Sequence, residues 1–188
     1  MPELLRTSDV MWLRRVNHSA SRLPAWLKLA AGLIVSWAVM VFTHEVGHLI
    51  GGGISGATLV HYDLAPWRLP YSLHQPDPAP LLTLWGGPVF GIAGVGLIAM
   101  VVRHPSTRFI ADFCLLANGT YLAVAWFTGE RTLDTARLLN AGASPLSILL
   151  FCAATIPLGY VRFRQDCIDL FVVPNSEETM TSDHHLNQ

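Results

Sequence analysis

Long apolar stretches separated by short polar segments make up most of the chain. A bilayer core takes about 20 helical residues, and four stretches are long enough to span it: residues 29–50, 78–102, 109–129 and 138–161. Their only charged residues are Glu45 and Asp112. The buried helices of a soluble bundle would show polar faces at the helical period, and these stretches do not. The pattern therefore predicts an all-α, polytopic membrane protein with about four transmembrane helices.

Composition supports this interpretation. Apolar residues make up 52% of the 188 residues and charged residues 13%, whereas a soluble domain carries roughly 25% charged residues. Twelve basic residues against thirteen acidic ones give a formal net charge of −1. Because nucleic-acid binding needs an excess of positive charge against phosphate, the chain is not expected to bind nucleic acid. The three cysteines are an odd number without metal-type spacing, which disfavours a disulfide framework.

The ends of the chain are polar and lie outside the predicted spans. Residues 1–28 form a basic segment with five of the twelve Lys and Arg residues, residues 29–172 form the membrane domain, and residues 173–188 form a polar tail expected to be disordered. Four spans place both termini on one side of the membrane and the loops 54–80 and 129–137 on the other. Since basic residues favour the cytoplasmic side, this distribution favours cytoplasmic termini in a multi-pass protein of the cell membrane.

Near its end, the first span carries His44-Glu45-x-x-His48. On a helix, positions i and i+4 lie on one face about 6 Å apart, so two imidazoles can bind one Zn²⁺. Glu45 then lies beside the remaining coordination position, where it can accept a proton from metal-bound water. Unpaired, these polar groups would cost several kcal/mol inside a bilayer, a cost that a divalent metal offsets. The three glycines at 51–53 predict the end of this helix.

Zinc in a catalytic site requires a third protein ligand. The topology restricts this ligand to groups on the membrane side where the first span ends: His61, Asp63, His74, Asp77, Glu130 and Asp134. Asp134 follows directly after the third span, where a rigid helix can hold it, and rigid placement favours catalysis. His61 and His74, in the long loop after the first span, are the alternatives.

Three elements in order resemble the site-2-protease-like intramembrane zinc metalloproteases: His44-Glu45-x-x-His48 in the first core helix, Gly86-Gly87-Pro88 early in the second, and Leu133-Asp134 after the third. The resemblance covers roughly residues 30–140 and implies a three-helix metalloprotease core. It implies that His44, His48 and Asp134 bind Zn²⁺ and that Glu45 is the catalytic base. In this family the first core helix usually runs from outside towards the cytosol, opposite to the direction that the basic residues favour.

The chain departs from the family pattern at two places. Asp134 is followed by Thr135, where the family usually has glycine, although Arg137 stands where an arginine is often found. The family also places an asparagine and then a proline before the aspartate, whereas here Asn118 is followed by Tyr121 at the proline position. The amide of Asn118 is a candidate to hydrogen-bond an oxyanion or an extended substrate backbone. A hydrogen bond between helices is the alternative for this residue.

These features predict a zinc endopeptidase embedded in the lipid bilayer. It would hydrolyse peptide bonds in or near transmembrane segments of other membrane proteins, with Glu45 assisting the attack of zinc-bound water. The alternative is a catalytically degenerate membrane protein of the same fold that binds metal for regulation. A divalent-cation transporter is disfavoured, because the second and fourth spans hold no ionisable group. The sequence indicates no oligomeric state.

Overall fold

A computed structural model describes residues 24–65, 67–68 and 70–171. These residues form a short two-stranded sheet and five helices: α1 (Ala25–Ser55), β1 (Leu59–Asp63), β2 (Tyr71–His74), α2 (Pro80–Val102), α3 (Pro105–Thr128), α4 (Asp134–Asn140) and α5 (Pro145–Phe171). Helices α1, α2, α3 and α5 are long and apolar enough to cross a membrane. The prediction of four apolar helices of membrane-spanning length is confirmed. The predictions for the tail 173–188 and for residues 1–23 of the basic segment lie outside the described residues.

Proline and glycine set the helix boundaries. Pro80 and Pro105 occupy the first turns of α2 and α3, where a missing N–H costs nothing. Helix α1 begins four residues before the predicted position and continues through the three glycines to Ser55, so the prediction that these glycines end the helix is wrong. Gly56 caps the end of the helix in a left-handed conformation at φ +75°. The glycines inside the helix serve close packing instead.

Helices α1 and α2 cross with their backbones almost in contact. A Cβ added to Gly47 would collide with the carbonyl oxygen of Gly86, and one added to Gly51 would lie 2.6 Å from the carbonyl oxygen of Leu82. Small residues four positions apart let membrane helices approach in this way. The crossing places His44 and His48 directly beside the first turns of α2.

Helix α3 packs against α5 through small residues and paired charges. Only Arg103 and His104 separate α2 from α3, so these two helices run antiparallel. Arg162 of α5 donates to Asp112 of α3 at 2.7 Å, and Arg108 of α3 lies 2.6 Å from Asp166 of α5. Two reciprocal ion pairs therefore join α3 and α5 at the end of the bundle near the α2–α3 connection.

The segment after α1 contains a β-hairpin that the all-α prediction did not include. Strands β1 and β2 pair antiparallel, with Tyr62 opposite Ser72 and an irregularity between Leu59 and His61. Five- and four-residue strands carry too short an alternation to stand out in the sequence. The hairpin brings β2 against α1, where His74 packs on Gly52.

The outer surface of the helices is apolar, and much of the buried interior is polar. Phe127 is 90% exposed and Val101 75% exposed, as expected for side chains that face lipid rather than water. The buried polar residues include one concentrated group: His44, Glu45, His48, Asn118 and Asp134. The fold therefore encloses a polar site within an apolar bundle.

Candidate metal centre

Three side chains converge where α1, α2 and α4 meet. The Nε2 atom of His44 lies 2.8 Å from Oδ2 of Asp134, and Nε2 of His48 lies 3.2 Å from the same oxygen. The two Nε2 atoms are 3.2 Å apart. His44 and Asp134 are 5% exposed and His48 is 2% exposed. The structure thus brings together the three residues that the resemblance assigns to zinc, although Asp134 follows the histidines by more than 80 positions.

The far side of each imidazole faces a hydrogen-bond acceptor. Nδ1 of His48 lies 2.9 Å from the carbonyl oxygen of Thr83 in α2, and Nδ1 of His44 lies 2.7 Å from Oδ1 of Asn118 in α3. The amide nitrogen of Asn118 donates to the carbonyl oxygen of Cys114 at 2.9 Å, which fixes the amide with its oxygen towards His44. Both Nδ1 atoms therefore act as hydrogen-bond donors.

This arrangement determines what faces the centre of the cluster. With the ring hydrogen on Nδ1, a neutral imidazole presents an unshared electron pair at Nε2. Two such pairs and the carboxylate of Asp134 then point at one another within 3.2 Å, and three electron-rich atoms repel one another unless a cation lies between them. Histidines that bind metals usually donate their other ring N–H in this way.

The donor set and its spacing fit a zinc ion. Two imidazoles and a carboxylate are a common ligand set of catalytic zinc, and ligands at 2.0–2.1 Å in a tetrahedron lie about 3.3 Å apart. Two of the three separations, at 3.2 Å, match this value closely, and the third, 2.8 Å between His44 and Asp134, is about half an ångström shorter. The buried group His44, Glu45 and His48 likewise has the composition and closeness of a metal site.

Glu45 lies beside the cluster with one oxygen free. Its carboxylate lies within 4.8 Å of the nitrogen atoms of His44 and His48. The side chain is buried, and its Oε2 atom has no hydrogen-bond partner among the described residues. An unsatisfied buried carboxylate oxygen is costly and is typical of a group that accepts a proton or binds a ligand.

A cavity of about 500 Å³ opens next to Glu45 and Asp134, between β2 and the segment that joins α3 to α4. Tyr71 and Leu73 of β2 line one wall, and Tyr121 of α3 lines another. The ring of Tyr121 meets the ring of His44 edge-on, with centroids 5.4 Å apart. Tyr121 is thus part of the site.

Asp134 is held by its neighbour in α4. The hydroxyl of Thr135 donates to the carbonyl oxygen of Leu122 in α3 at 2.7 Å, which joins the first turn of α4 to α3. Thr135 therefore anchors the helix that carries the carboxylate.

Gly87 of α2 keeps open the space above the imidazoles. A Cβ at this position would collide with Nε2 of His48 and lie 2.9 Å from Nε2 of His44. Sequence reasoning recognised Gly87 only as part of the resemblance, and it did not identify Thr83 or Tyr121 as neighbours of the site. Their positions follow from how α2 and α3 pack on α1, which no motif in the sequence records.

Four of the five other candidate ligands have polar partners outside the cluster, whereas the buried Nδ1 atom of His74 has none among the described residues. His61 bonds and stacks with Tyr71, His74 packs on Gly52, Asp63 caps Ala65 and pairs with Arg68, Asp77 accepts from Ser55 and Ala79, and Glu130 accepts from Thr132. Asn118 contacts His44 of α1 and Cys114 of its own helix. Its hydrogen bond between helices, the alternative considered for it, is the one present.

Comparison of the chain with known protein families, with curated proteins and with solved structures finds no match.

Proposed function

We propose that this chain is a zinc-dependent endopeptidase of the site-2-protease-like type, which cleaves transmembrane segments of other proteins. One observation carries the proposal. The electron-rich faces of His44, His48 and Asp134 converge, and Glu45 lies beside them with an unpaired oxygen. A buried carboxylate oxygen without a partner, next to three converging electron-rich atoms, supports a group that accepts a proton there.

In this proposal, a bound Zn²⁺ supplies Lewis acidity that acidifies water and polarises a peptide carbonyl. Glu45 accepts the proton of the attacking water and returns it to the leaving amine. Helix α1 fixes Glu45 next to both histidines, so the base and the reacting atoms need little rearrangement. Asn118 and Thr83 hold the imidazoles in the orientation that the metal requires.

The cavity beside Glu45 suggests the form of the substrate. Its volume of about 500 Å³ suits a short segment, with apolar contacts from Tyr71, Leu73 and Tyr121. Arg131, Thr132 and Arg137 also line it and offer hydrogen-bond donors to the carbonyls of an unwound backbone. The carbonyls of a helix are already hydrogen-bonded, so the segment must unwind before attack. We therefore expect substrates whose transmembrane helices contain glycine, proline or other residues that weaken the helix.

The test compares peptide termini in membranes that contain the wild-type protein or the Glu45→Gln variant. Mass spectrometry of labelled amino termini should find new termini inside transmembrane segments of other proteins in wild-type membranes only. Glu45→Gln keeps the shape of the side chain but removes the base, so cleavage should fall by 10²–10⁴-fold while zinc content stays the same. Glu130→Gln, an equivalent change at an exposed position outside the cluster, should cleave like wild type.

Identical termini in wild-type and Glu45→Gln membranes, with zinc bound to both proteins, would contradict the hydrolase. That result would favour the alternative of a membrane protein of the same fold that binds metal without catalysis. Absence of zinc from both proteins would contradict the metal centre itself.

A further inference from the structure

A second groove lies at the end of the bundle opposite to the candidate metal centre, where α2 ends and α3 begins. It has a volume of about 520 Å³ and runs between α2, α3 and α5. Its wall is formed mainly by apolar residues of the three helices, among them Ile92, Gly96, Leu115 and Leu158. Its mouth carries Arg103, His104, Arg108, Asp112 and Arg162. None of these residues takes part in the proposed hydrolysis, so the groove is independent of it.

The mouth of the groove is lined by basic side chains, of which Arg103 has no acidic partner among the described residues. Three guanidinium groups and one imidazole face a single carboxylate, that of Asp112. Arg108 pairs with two acids, Asp166 and Asp169. Both acids line a neighbouring groove between α1, α3 and α5. These two acids neutralise Arg108, and Asp112 neutralises Arg162, so Arg103 carries the one unpaired guanidinium charge at the mouth among the described residues.

Ion pairs hold two of the arginines in place without using all their donors. Arg162 bonds Asp112 through Nε alone, which leaves both terminal nitrogens without a partner among the described residues. Arg108 uses Nε and one terminal nitrogen. Both side chains are about half exposed. These guanidinium groups are oriented in advance, with N–H donors left for an anion.

Arg103 and His104 add further donors at the connection between α2 and α3. Arg103 donates from Nε to the carbonyl oxygen of Met100 at 3.3 Å and forms no ion pair within the described ranges. His104 accepts the N–H of Ser106 at Nδ1, so its neutral ring carries the hydrogen on Nε2. Every polar group at the mouth except the Asp112 carboxylate thus offers a donor.

We propose that this groove binds one anionic phospholipid. Its phosphate would lie against Arg103, His104 and Arg162, and an acyl chain would follow the apolar wall past Gly96. Basic pockets between transmembrane helices recognise anionic headgroups, and these basic residues lie where two membrane-length helices end and begin, at the expected level of the headgroups. A free phosphate ester would use the basic mouth but not the wall, so the continuous wall favours a lipid.

The test measures lipid retention by native mass spectrometry. Delipidated protein is placed in mixed micelles with equal amounts of dioleoyl phosphatidylglycerol and dioleoyl phosphatidylcholine, and one phosphatidylglycerol per chain should be retained in preference. Arg103→Gln should weaken this binding about fivefold, since one basic group near a membrane surface contributes about that much. Gly96→Leu should also weaken this binding, because its side chain would occupy the space beside the apolar wall where the acyl chain lies. A Cβ at Gly96 meets nothing within 4 Å, so this variant should fold.

Arg164→Gln is the matched control. Arg164 is exposed on the same end of α5 but does not line the groove, so its loss should leave retention unchanged. Equal retention of the two lipids would overturn the proposal, as would an equal effect of Arg164→Gln and Arg103→Gln, which would indicate diffuse attraction. Displacement of the lipid by glycerol 3-phosphate at equal concentration would also overturn it, in favour of a site for soluble phosphate esters.

Discussion

Asn118 and His44, which are 74 residues apart, are joined by a hydrogen bond of 2.7 Å between the amide Oδ1 and the imidazole Nδ1. Asn118 is completely buried in α3, and its second bond, to the carbonyl oxygen of Cys114, prevents the amide from turning over. The pair determines which nitrogen of His44 faces Asp134. Asn118 is therefore a positioning residue for the candidate metal centre.

Replacing Asn118 with leucine should weaken zinc binding. The substitution removes the acceptor behind His44, and loss of such a partner typically costs 10–100-fold in metal affinity. Asn118→Asp keeps an oxygen at this position and should lose less. Equilibrium dialysis against buffered zinc measures the affinity. Thr120→Val removes a polar group from an exposed position two residues along α3 and serves as the control. Wild-type affinity in Asn118→Leu would show that the bond does not orient a ligand.

Gly87→Ala should displace both imidazoles. The added methyl group would occupy the space of His48 Nε2 and lie 2.9 Å from His44 Nε2, closer than real Cβ atoms come to other atoms. We expect the variant to bind zinc at least tenfold more weakly. Gly96→Ala adds the same group to the same helix where nothing lies within 4 Å, so it should bind zinc normally. Equal zinc affinities in the two variants would contradict the described geometry.

Thr135→Val should loosen α4. It preserves the shape of a buried side chain while removing the hydrogen bond to Leu122, a loss of about 1 kcal/mol of unfolding free energy. The thermal midpoint in detergent should fall by about 2–4 °C. Thr135→Ser keeps the hydroxyl and should lose less. A wild-type midpoint in Thr135→Val would indicate that packing alone holds α4.

Removal of metal should destabilise the protein. Without a cation, the electron pairs of His44, His48 and Asp134 repel one another. A ligand present at a hundred times its Kd raises the unfolding free energy of the protein by about 2.7 kcal/mol. Adding zinc to chelator-treated protein should therefore raise the thermal midpoint by about 5–10 °C, and magnesium should not, because imidazole ligands suit zinc. His48→Gln should show little response to zinc. An equal rise in His48→Gln would place the stabilising ion elsewhere.

Much of the fold follows from the sequence because the membrane imposes a simple rule. Apolar runs of membrane length form helices whatever they pack against, so the four long helices are predictable from hydropathy. The ends of these helices are less predictable. The glycines at 51–53 are typical of a helix end, but α1 continues because Gly51 and Gly52 face α2 and His74. The hairpin was missed because its strands are short and its alternation weak.

Only the part of the site whose residues are close together in the sequence is predictable. His44, Glu45 and His48 lie within one helix turn or so, and their geometry follows from helical periodicity. Topology limits the third ligand to six candidates, and Asp134 is favoured among them because it directly follows the third span. The orientation of Asn118 towards His44, and of Thr83 towards His48, depends on the rotation of α3 and α2 about their axes, which apolar composition does not determine.

The most direct test is the zinc content of purified wild-type protein against Asp134→Ala, with Glu130→Ala as the control for loss of a nearby carboxylate. The account predicts one zinc ion per chain in the wild type and in Glu130→Ala, and at least a tenfold lower content in Asp134→Ala after dialysis. Undiminished zinc in Asp134→Ala would contradict the account and would move the third ligand to His61, His74 or Glu130.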